Sequence, residues 1–256
     1  YYMTRTRFTT VFSRCLLVAL LALGSIGDAA AKPKYGKLTK PLSEDSSYFK
    51  IASRTDFWKI IPYYVPQHNE KACGVASSIM VLNALFAGTR NTADGTNVDV
   101  EEISKLDPKF KKNVGTTGKG FQLDELGETL TKALASAEGG PYTVTVERFD
   151  GKDSKAELKR LEKLLAANEK NPDDYIVINF LQSVLTGDPE GSVGHIAPIG
   201  AYDAKKKRVL VLDPDRKYYQ PYWVPVDKVF DAMNTTDPSK SKKRGLVVLS
   251  RGAAPE

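Results

Sequence analysis

Hydrophobic and polar positions alternate with different periods along this chain, and the change of period divides it. From Cys73 to Phe86 apolar residues fall on almost every side of a helical projection: Val75, Ile79, Met80, Leu82, Leu85 and Phe86. A helix apolar all round belongs in the middle of a core. Phe121–Ala135 places Leu123, Leu126, Leu130 and Leu134 on one stripe, which predicts an amphipathic helix. A further helix is predicted where Ser154 and Glu157 form a capping box ahead of Leu158, Leu161, Leu164 and Leu165. The period then shortens. Tyr142–Phe149 alternates like a strand, and Tyr175–Phe180, His195–Tyr202, Arg208–Asp213 and Gly245–Ser250 read as strands. Helices first and antiparallel strands second predict an α+β fold. Thr89–Val98 reads as a polar loop, and residues 32–50 as an extended leader onto a domain spanning 51–252.

The N-terminus has a different character. Arg5, Arg7 and Arg14 precede the apolar run Leu16–Leu23, and Ala29-Ala30-Ala31 follows. This is the layout of a secretory signal peptide over residues 1–31. The run is too short to span a bilayer, so no stable membrane anchor is expected after cleavage. Of 256 residues, 225 then remain, enough for one domain with a sizeable core. Three arginines and one aspartate leave with the segment, taking the net charge from +6 to +4. Charge this mild, with lysine runs only at 205–208 and 240–244 and no aromatic residues among them, gives no nucleic-acid surface. Cys15 departs too, so Cys73 is the mature chain's one thiol. An exported chain without a disulfide points to a bacterial periplasmic or secreted protein.

That thiol opens the predicted central helix, where oriented N–H groups favour a thiolate. Gln67, six residues upstream, is placed to donate to a developing oxyanion. Two histidines could serve as the base, His68 and His195. A hairpin turn centred near Ala204-Lys205 would set His195 opposite Asp213 or Pro214, and a carboxylate there would orient the imidazole. Each of these residues has an ordinary structural explanation on its own. Together, in the order Gln, Cys, His, Asp, they describe a thiol nucleophile with its base. One cysteine and two histidines give no metal-ligand spacing. Gly115–Gly120 lacks the spacing of a phosphate loop.

Longer stretches are similar to a known family. Tyr63-Tyr64-Val65-Pro66-Gln67, Ala72-Cys73-Gly74-Val75-Ala76-Ser77, Gly194-His195-Ile196-Ala197-Pro198 and Leu212–Pro225 resemble the phytochelatin synthase catalytic domain, as do Ala232–Asp237 and Arg244-Gly245. The resemblance covers about residues 55–250. It implies a papain-like fold and transfer of γ-glutamylcysteine from glutathione, with glycine released and a second glutathione or water as acceptor. Cys73 would be the nucleophile, His195 the base and acid, Asp213 its orienting carboxylate and Gln67 the oxyanion donor. Asn179, Gly194, Tyr219 and Arg244 would line the substrate pocket. No metal or cofactor bound by the protein is implied, and stimulation by Cd²⁺ or Zn²⁺ would act through metal–thiolate forms of the substrate.

Two departures stand out. Many relatives carry an arginine where this chain has Gln182, and the Cys-rich C-terminal region of plant and yeast relatives has no counterpart before Glu256. Both lead to the expectation that hydrolysis exceeds phytochelatin synthesis. A homodimer is left open. The alternatives are a papain-like peptidase resembling bacteriocin leader-peptide proteases, and a binding module that has kept the fold.

Overall fold

Fourteen consecutive buried residues form the axis of the molecule. In the computed structural model, which describes residues 34–52, 55–87, 98–115, 117–135 and 137–252, every residue from Cys73 to Phe86 is buried. The signal segment expected over 1–31 lies outside the described residues, as does most of the polar loop at 89–98. In chain order the elements are β1 (Lys40–Pro41), α1 (Asp56–Ile60), α2 (Cys73–Phe86), α3 (Val100–Leu106), α4 (Pro108–Val114), α5 (Leu123–Ala135), β2 (Tyr142–Glu147), α6 (Ser154–Asn168) and β3 (Asp174–Leu181). They continue with α7 (Gln182–Thr186), β4 (Gly194–Asp203), β5 (Arg208–Val211), β6 (Tyr222–Pro225), α8 (Val226–Met233), β7 (Thr236–Asp237), β8 (Lys242–Lys243) and β9 (Gly245–Arg251).

Seven strands make one antiparallel sheet in the order β1-β6-β5-β4-β3-β9-β2. Both of its faces are covered. Val177, Ile196, Leu210 and Val247 pack with α2 and α5 on one side. Ile176, Ile178, Ala197 and Val209 pack with α6 and α8 on the other. Central strands buried on both faces lose strict alternation, and six of the eight residues of β3 are buried in an unbroken run. Each fully buried Leu, Ile or Val contributes roughly 1.5–3 kcal/mol. The α+β class read from the periodicity holds, although helices cover both faces of the sheet and β1 comes from the N-terminal half.

Several local readings differ. The N-cap of α6 is Asp153, whose carboxylate accepts from the Ala156 N–H. Glu157 reaches back to the N–H groups of Asp150 and Gly151 instead. α3 and α4 went unread despite having Asp99 and Asp107 as caps and Pro108 at the first helical position. Residues 34–50 are docked rather than simply extended. They carry two short 3₁₀ turns, β1 pairs with β6, the Trp223 indole donates to the Asp45 carbonyl at 2.9 Å, and Arg208 pairs with the Asp45 carboxylate.

The β4–β5 hairpin matters most for function. Its loop holds four residues, 204–207, because the Asp203 carboxylate accepts the Lys206 N–H and draws the turn outward. Asp203 pairs with Arg208 and Tyr202 with Val209, and a bulge follows between Ile199 and Ala201. The register expected from a turn at Ala204-Lys205 is therefore not formed. β5 ends at Val211, and the strand neighbour of His195 is Phe180 on β3.

Candidate active site

His195 and Asp213 meet nevertheless, through side chains rather than through the ladder. Beyond Val211 the chain leaves the sheet, and the Leu212 N–H makes the last bond to β4, to the Pro198 carbonyl at 2.9 Å. Asp213-Pro214 then turns. The Asp213 Oδ1 accepts the Asp215 N–H at 2.9 Å, which closes the turn. The same oxygen lies 2.7 Å from His195 Nε2. A carboxylate accepts, so Nε2 carries the proton and Nδ1 is left for the thiol. The second carboxylate oxygen accepts the Tyr222 hydroxyl at 3.0 Å. Asp213 is fully buried.

The nucleophile side is tied to this turn. Gln67 N–H donates to the Pro214 carbonyl at 2.8 Å, and the Tyr64 hydroxyl donates to the Asp213 main-chain carbonyl at 2.5 Å. The loop from Tyr64 to Ala72 therefore rests on the carboxylate's own backbone and delivers Cys73 to the start of α2. Cys73 is buried, and its sulfur lies near enough to the His195 imidazole to help raise that group's pKa. Ala72 offers no side-chain cap, so the first N–H groups of α2 remain available. Gly74 is required beside the thiol, because a Cβ there would come within 2.8 Å of the Phe121 ring. Ser77 fixes the helix to β4 by donating to the Ile196 carbonyl at 3.0 Å.

The electrostatics follow from burial and pairing. Burial alone disfavours the His195 imidazolium, but the charge of Asp213, its hydrogen bond and the Cys73 sulfur outweigh it. The pKa of His195 stands well above the ordinary histidine value. Burial likewise opposes the Asp213 carboxylate, yet His195 and the donors from Asp215 and Tyr222 hold its pKa below the usual range. The rival base, His68, lies on the surface with Nε2 2.5 Å from the Val114 carbonyl and takes no part.

A cavity of about 310 Å³ opens beside this centre. Asn179 and Arg244 line it, with Gln122, Arg148, Asp237 and lysines at the rim. None of Cys73, His195, Asp213 and Gln67 lines it, and it is linked to them through neighbours: Gln122 follows the Phe121 that packs on Gly74, and Arg244 packs on Gly194, the residue before His195. A Cβ at Gly194 would stand 3.1 Å from the Arg244 guanidinium. Arg244 is 5 % exposed. Its Nη1 donates to the Thr235 hydroxyl at 3.1 Å and the Thr236 carbonyl at 2.8 Å, while its Nε has no partner. The Asn179 and Gln122 side-chain oxygens are also unpartnered. Buried polar atoms without partners in a cavity wall suit a polar ligand.

The structure therefore brings together Cys73, His195, Asp213 and the Gln67 loop, and sets Asn179 and Arg244 in the wall of one cavity, with Gly194 packed on Arg244 outside that wall. Tyr219 lies outside it too. It is buried between Tyr35 and Tyr222, faces Gln182 and Thr186, is pushed up to about 12 by burial, and does not line this cavity. Gln182 is buried beside it, also away from the cavity. Asp237 and Arg148 at the rim went unread. Their signal was weak, since both sit among ordinary surface charges. Among the described residues no group of three or more His, Cys, Asp or Glu side chains is arranged to hold a metal, and no helix is long and apolar enough to cross a membrane.

Comparison with known proteins agrees with the geometry. A glutathione gamma-glutamylcysteinyltransferase 3 of Lotus japonicus is 30 % identical over 202 residues, covering 76 % of this chain and 37 % of that protein. A glutathione gamma-glutamylcysteinyltransferase 1 of Arabidopsis thaliana is 28 % identical over 195 residues, with 76 % and 37 % covered. The glutathione gamma-glutamylcysteinyltransferase of Schizosaccharomyces pombe matches over 76 residues at 33 % identity, 29 % of this chain and 17 % of that protein. This chain thus spans well under half the length of these curated relatives. The family model described as phytochelatin synthase matches residues 42–246, which include every residue of the thiol site and of the cavity wall, and the chain belongs to that family.

Proposed function

We propose that this protein cleaves the Cys–Gly bond of glutathione through a Cys73 thioester and passes γ-glutamylcysteine mainly to water. The observation that carries the reading is the joined set of buried Asp213, His195 and Cys73 beside a cavity walled by Arg244 and Asn179. Cys73 thiolate attacks the carbonyl of the cysteinyl residue. The oxyanion so formed takes hydrogen bonds from the Gln67 amide and the Cys73 N–H at the uncapped helix start. His195 imidazolium gives its Nδ1 proton to the glycine nitrogen, which leaves as the amine. The neutral imidazole then takes a proton from water, hydroxide attacks the thioester, and γ-glutamylcysteine departs as Cys73 is restored.

The cavity chemistry suits the far end of that substrate. A γ-glutamyl group ends in an α-carboxylate and an α-ammonium. The unpartnered Arg244 Nε can receive the first, and Asp237 at the same cavity can receive the second. Hydrolysis is favoured because water is present at about 55 M, so a thiol acceptor competes only if a site positions it. The basic and apolar pattern of residues 1–31 supports action in an exported compartment.

Glycine release from glutathione tests the reading against its alternatives. The expected result is glycine equal to the sum of free γ-glutamylcysteine and transferred units, with dimeric phytochelatin the minor product at millimolar glutathione, with or without Cd²⁺. Phytochelatin in excess of free γ-glutamylcysteine would overturn the hydrolytic preference. Cleavage of ordinary peptides without glycine release from glutathione would favour the peptidase reading instead.

A further inference from the structure

Asp213 poses a mechanical problem. The terminal torsion of an aspartate is broad and roughly two-fold, so a carboxylate held by one oxygen swings easily. Oδ1 accepts from His195 and from the Asp215 N–H. Oδ2 accepts from the Tyr222 hydroxyl at 3.0 Å. The nearby Tyr64 hydroxyl goes to the main-chain carbonyl and leaves the carboxylate alone. We propose that Tyr222 is a positioning residue of this site: its hydroxyl pins the second oxygen of Asp213, and the N-terminal strap at Tyr35 holds its ring in place.

The fold gives this role a rigid base. Tyr222 opens β6 and is paired on both sides, with Val211 of β5 and Pro41 of β1. Its ring is fully buried. Tyr219 meets it at 5.6 Å between ring centres, and Tyr35 meets it edge-on at 5.9 Å. Tyr35 is itself fastened. Its hydroxyl accepts the Gln220 N–H at 2.6 Å and donates to the Gln220 carbonyl at 3.2 Å, and Lys34 pairs with Glu190 at 3.2 Å. The titratable and charged groups facing Asp213 are His195 from β4, Tyr222 from β6, Tyr35 from the strap, Tyr64 ahead of α2, and Asp215 and Tyr219 after the turn. Tyr222 is the side-chain donor to Oδ2 among them. Phenylalanine in its place would leave a buried carboxylate oxygen with no donor, and the carboxylate would protonate or turn from His195. Either change weakens the imidazolium and, with it, the thiolate at Cys73.

The inference rests on the thiol reading above, so its test uses the thiol itself and no glutathione. Iodoacetamide alkylation of Cys73, followed on its own peptide by mass spectrometry, is measured from about pH 5 to pH 9 in the full chain. Tyr222→Phe is expected to slow alkylation at acid and neutral pH by about tenfold and to shift the curve in the same direction as Asp213→Asn. Tyr35→Ala, which loosens the ring but keeps the hydroxyl, shifts it the same way by a smaller factor. Tyr175→Phe is the control: it removes a buried hydroxyl that donates to the Ala84 carbonyl at 3.2 Å and leaves the curve unmoved. Thermal melts are the check that each variant is folded. Curves for Tyr222→Phe and Tyr35→Ala that superpose on the parent would overturn the proposal. So would an equal shift in Tyr175→Phe, because the effect would then be general loosening.

Discussion

Replacing Asp213 with asparagine separates charge from orientation. The asparagine oxygen can still accept from His195 Nε2–H and the Asp215 N–H. Its amide nitrogen would face the Tyr222 hydroxyl, which can accept as well as donate. The geometry is kept and a buried negative charge disappears. Two unit charges about 4 Å apart interact by roughly 4 kcal/mol at an effective dielectric near 20. Part of that returns, because a buried carboxylate no longer has to be desolvated, leaving about 2–3 kcal/mol. The variant should therefore lose about 30- to 200-fold in kcat/KM for glycine release at neutral pH. Its pH profile should change too. His195 stands above its ordinary pKa, so the imidazolium persists through neutrality and is lost as pH rises through the raised value. Without Asp213, burial dominates and the alkaline limb moves to lower pH. Asp213→Ala should be worse than Asp213→Asn by a further factor of about ten, since it also frees the ring. An Asp213→Asn profile with its alkaline limb unmoved would refute the electrostatic reasoning.

Three other changes test separate parts of the site and fold. Gln67→Ala should lower kcat by roughly 10²–10³-fold with the melt unchanged, as for loss of one oxyanion donor; an unaltered acylation rate would remove it from the mechanism. Arg244→Gln should raise KM for glutathione by about 10- to 100-fold with kcat nearly kept, because a charged hydrogen bond made in both ground and transition states is lost. A change confined to kcat would place Arg244 elsewhere. Asp56→Asn should stabilise the protein at pH 7 by about 1–3 kcal/mol, raising the melting temperature by several degrees. Asp56 is 3 % exposed with one oxygen unpartnered, and burial, then Asp174 and Glu169, push its carboxyl well above the usual range. Its favourable contribution is complete below the unfolded value near 4 and is lost as pH rises through the raised value, so the gain from asparagine should fade toward pH 4. Equal melts at pH 7 would contradict it.

The parts of this protein legible in its sequence are those set by local pattern. α2 could be read to the residue because an all-apolar fourteen-residue run with Ala87-Gly88 after it has few other solutions. Strand cores were legible for the same reason. Their ends were not, because β5 stops where Asp213-Pro214 turns and Gln67 clamps that turn from elsewhere. The His195–Asp213 contact was expected from a hairpin register that does not form. It exists because Asp213 reaches back as a side chain from beyond the strand. Asn179 and Arg244 are brought to one cavity by the pairing of β3 with β9, where Asn179 meets Gly245, and no spacing rule in the chain reports that pairing. Family likeness named those two together with Gly194 and Tyr219, and of the four only Asn179 and Arg244 line that cavity. Tyr222 was invisible for a simpler reason: in sequence it is one more aromatic residue beside Tyr218, Tyr219 and Trp223, and only its hydroxyl on Asp213 distinguishes it.

The covalent intermediate on Cys73 is the point on which the proposed chemistry stands. Brief mixing of the full chain with glutathione, acid quench and peptide mass spectrometry measures it directly. The expected product is a Cys73 peptide heavier by γ-glutamylcysteine less water, resistant to reducing agents, released by hydroxylamine, and missing in Cys73→Ser. A Cys73 peptide that stays unmodified while glycine accumulates, or one that carries whole glutathione as a reducible disulfide and nothing else, would contradict a thioester mechanism at this residue.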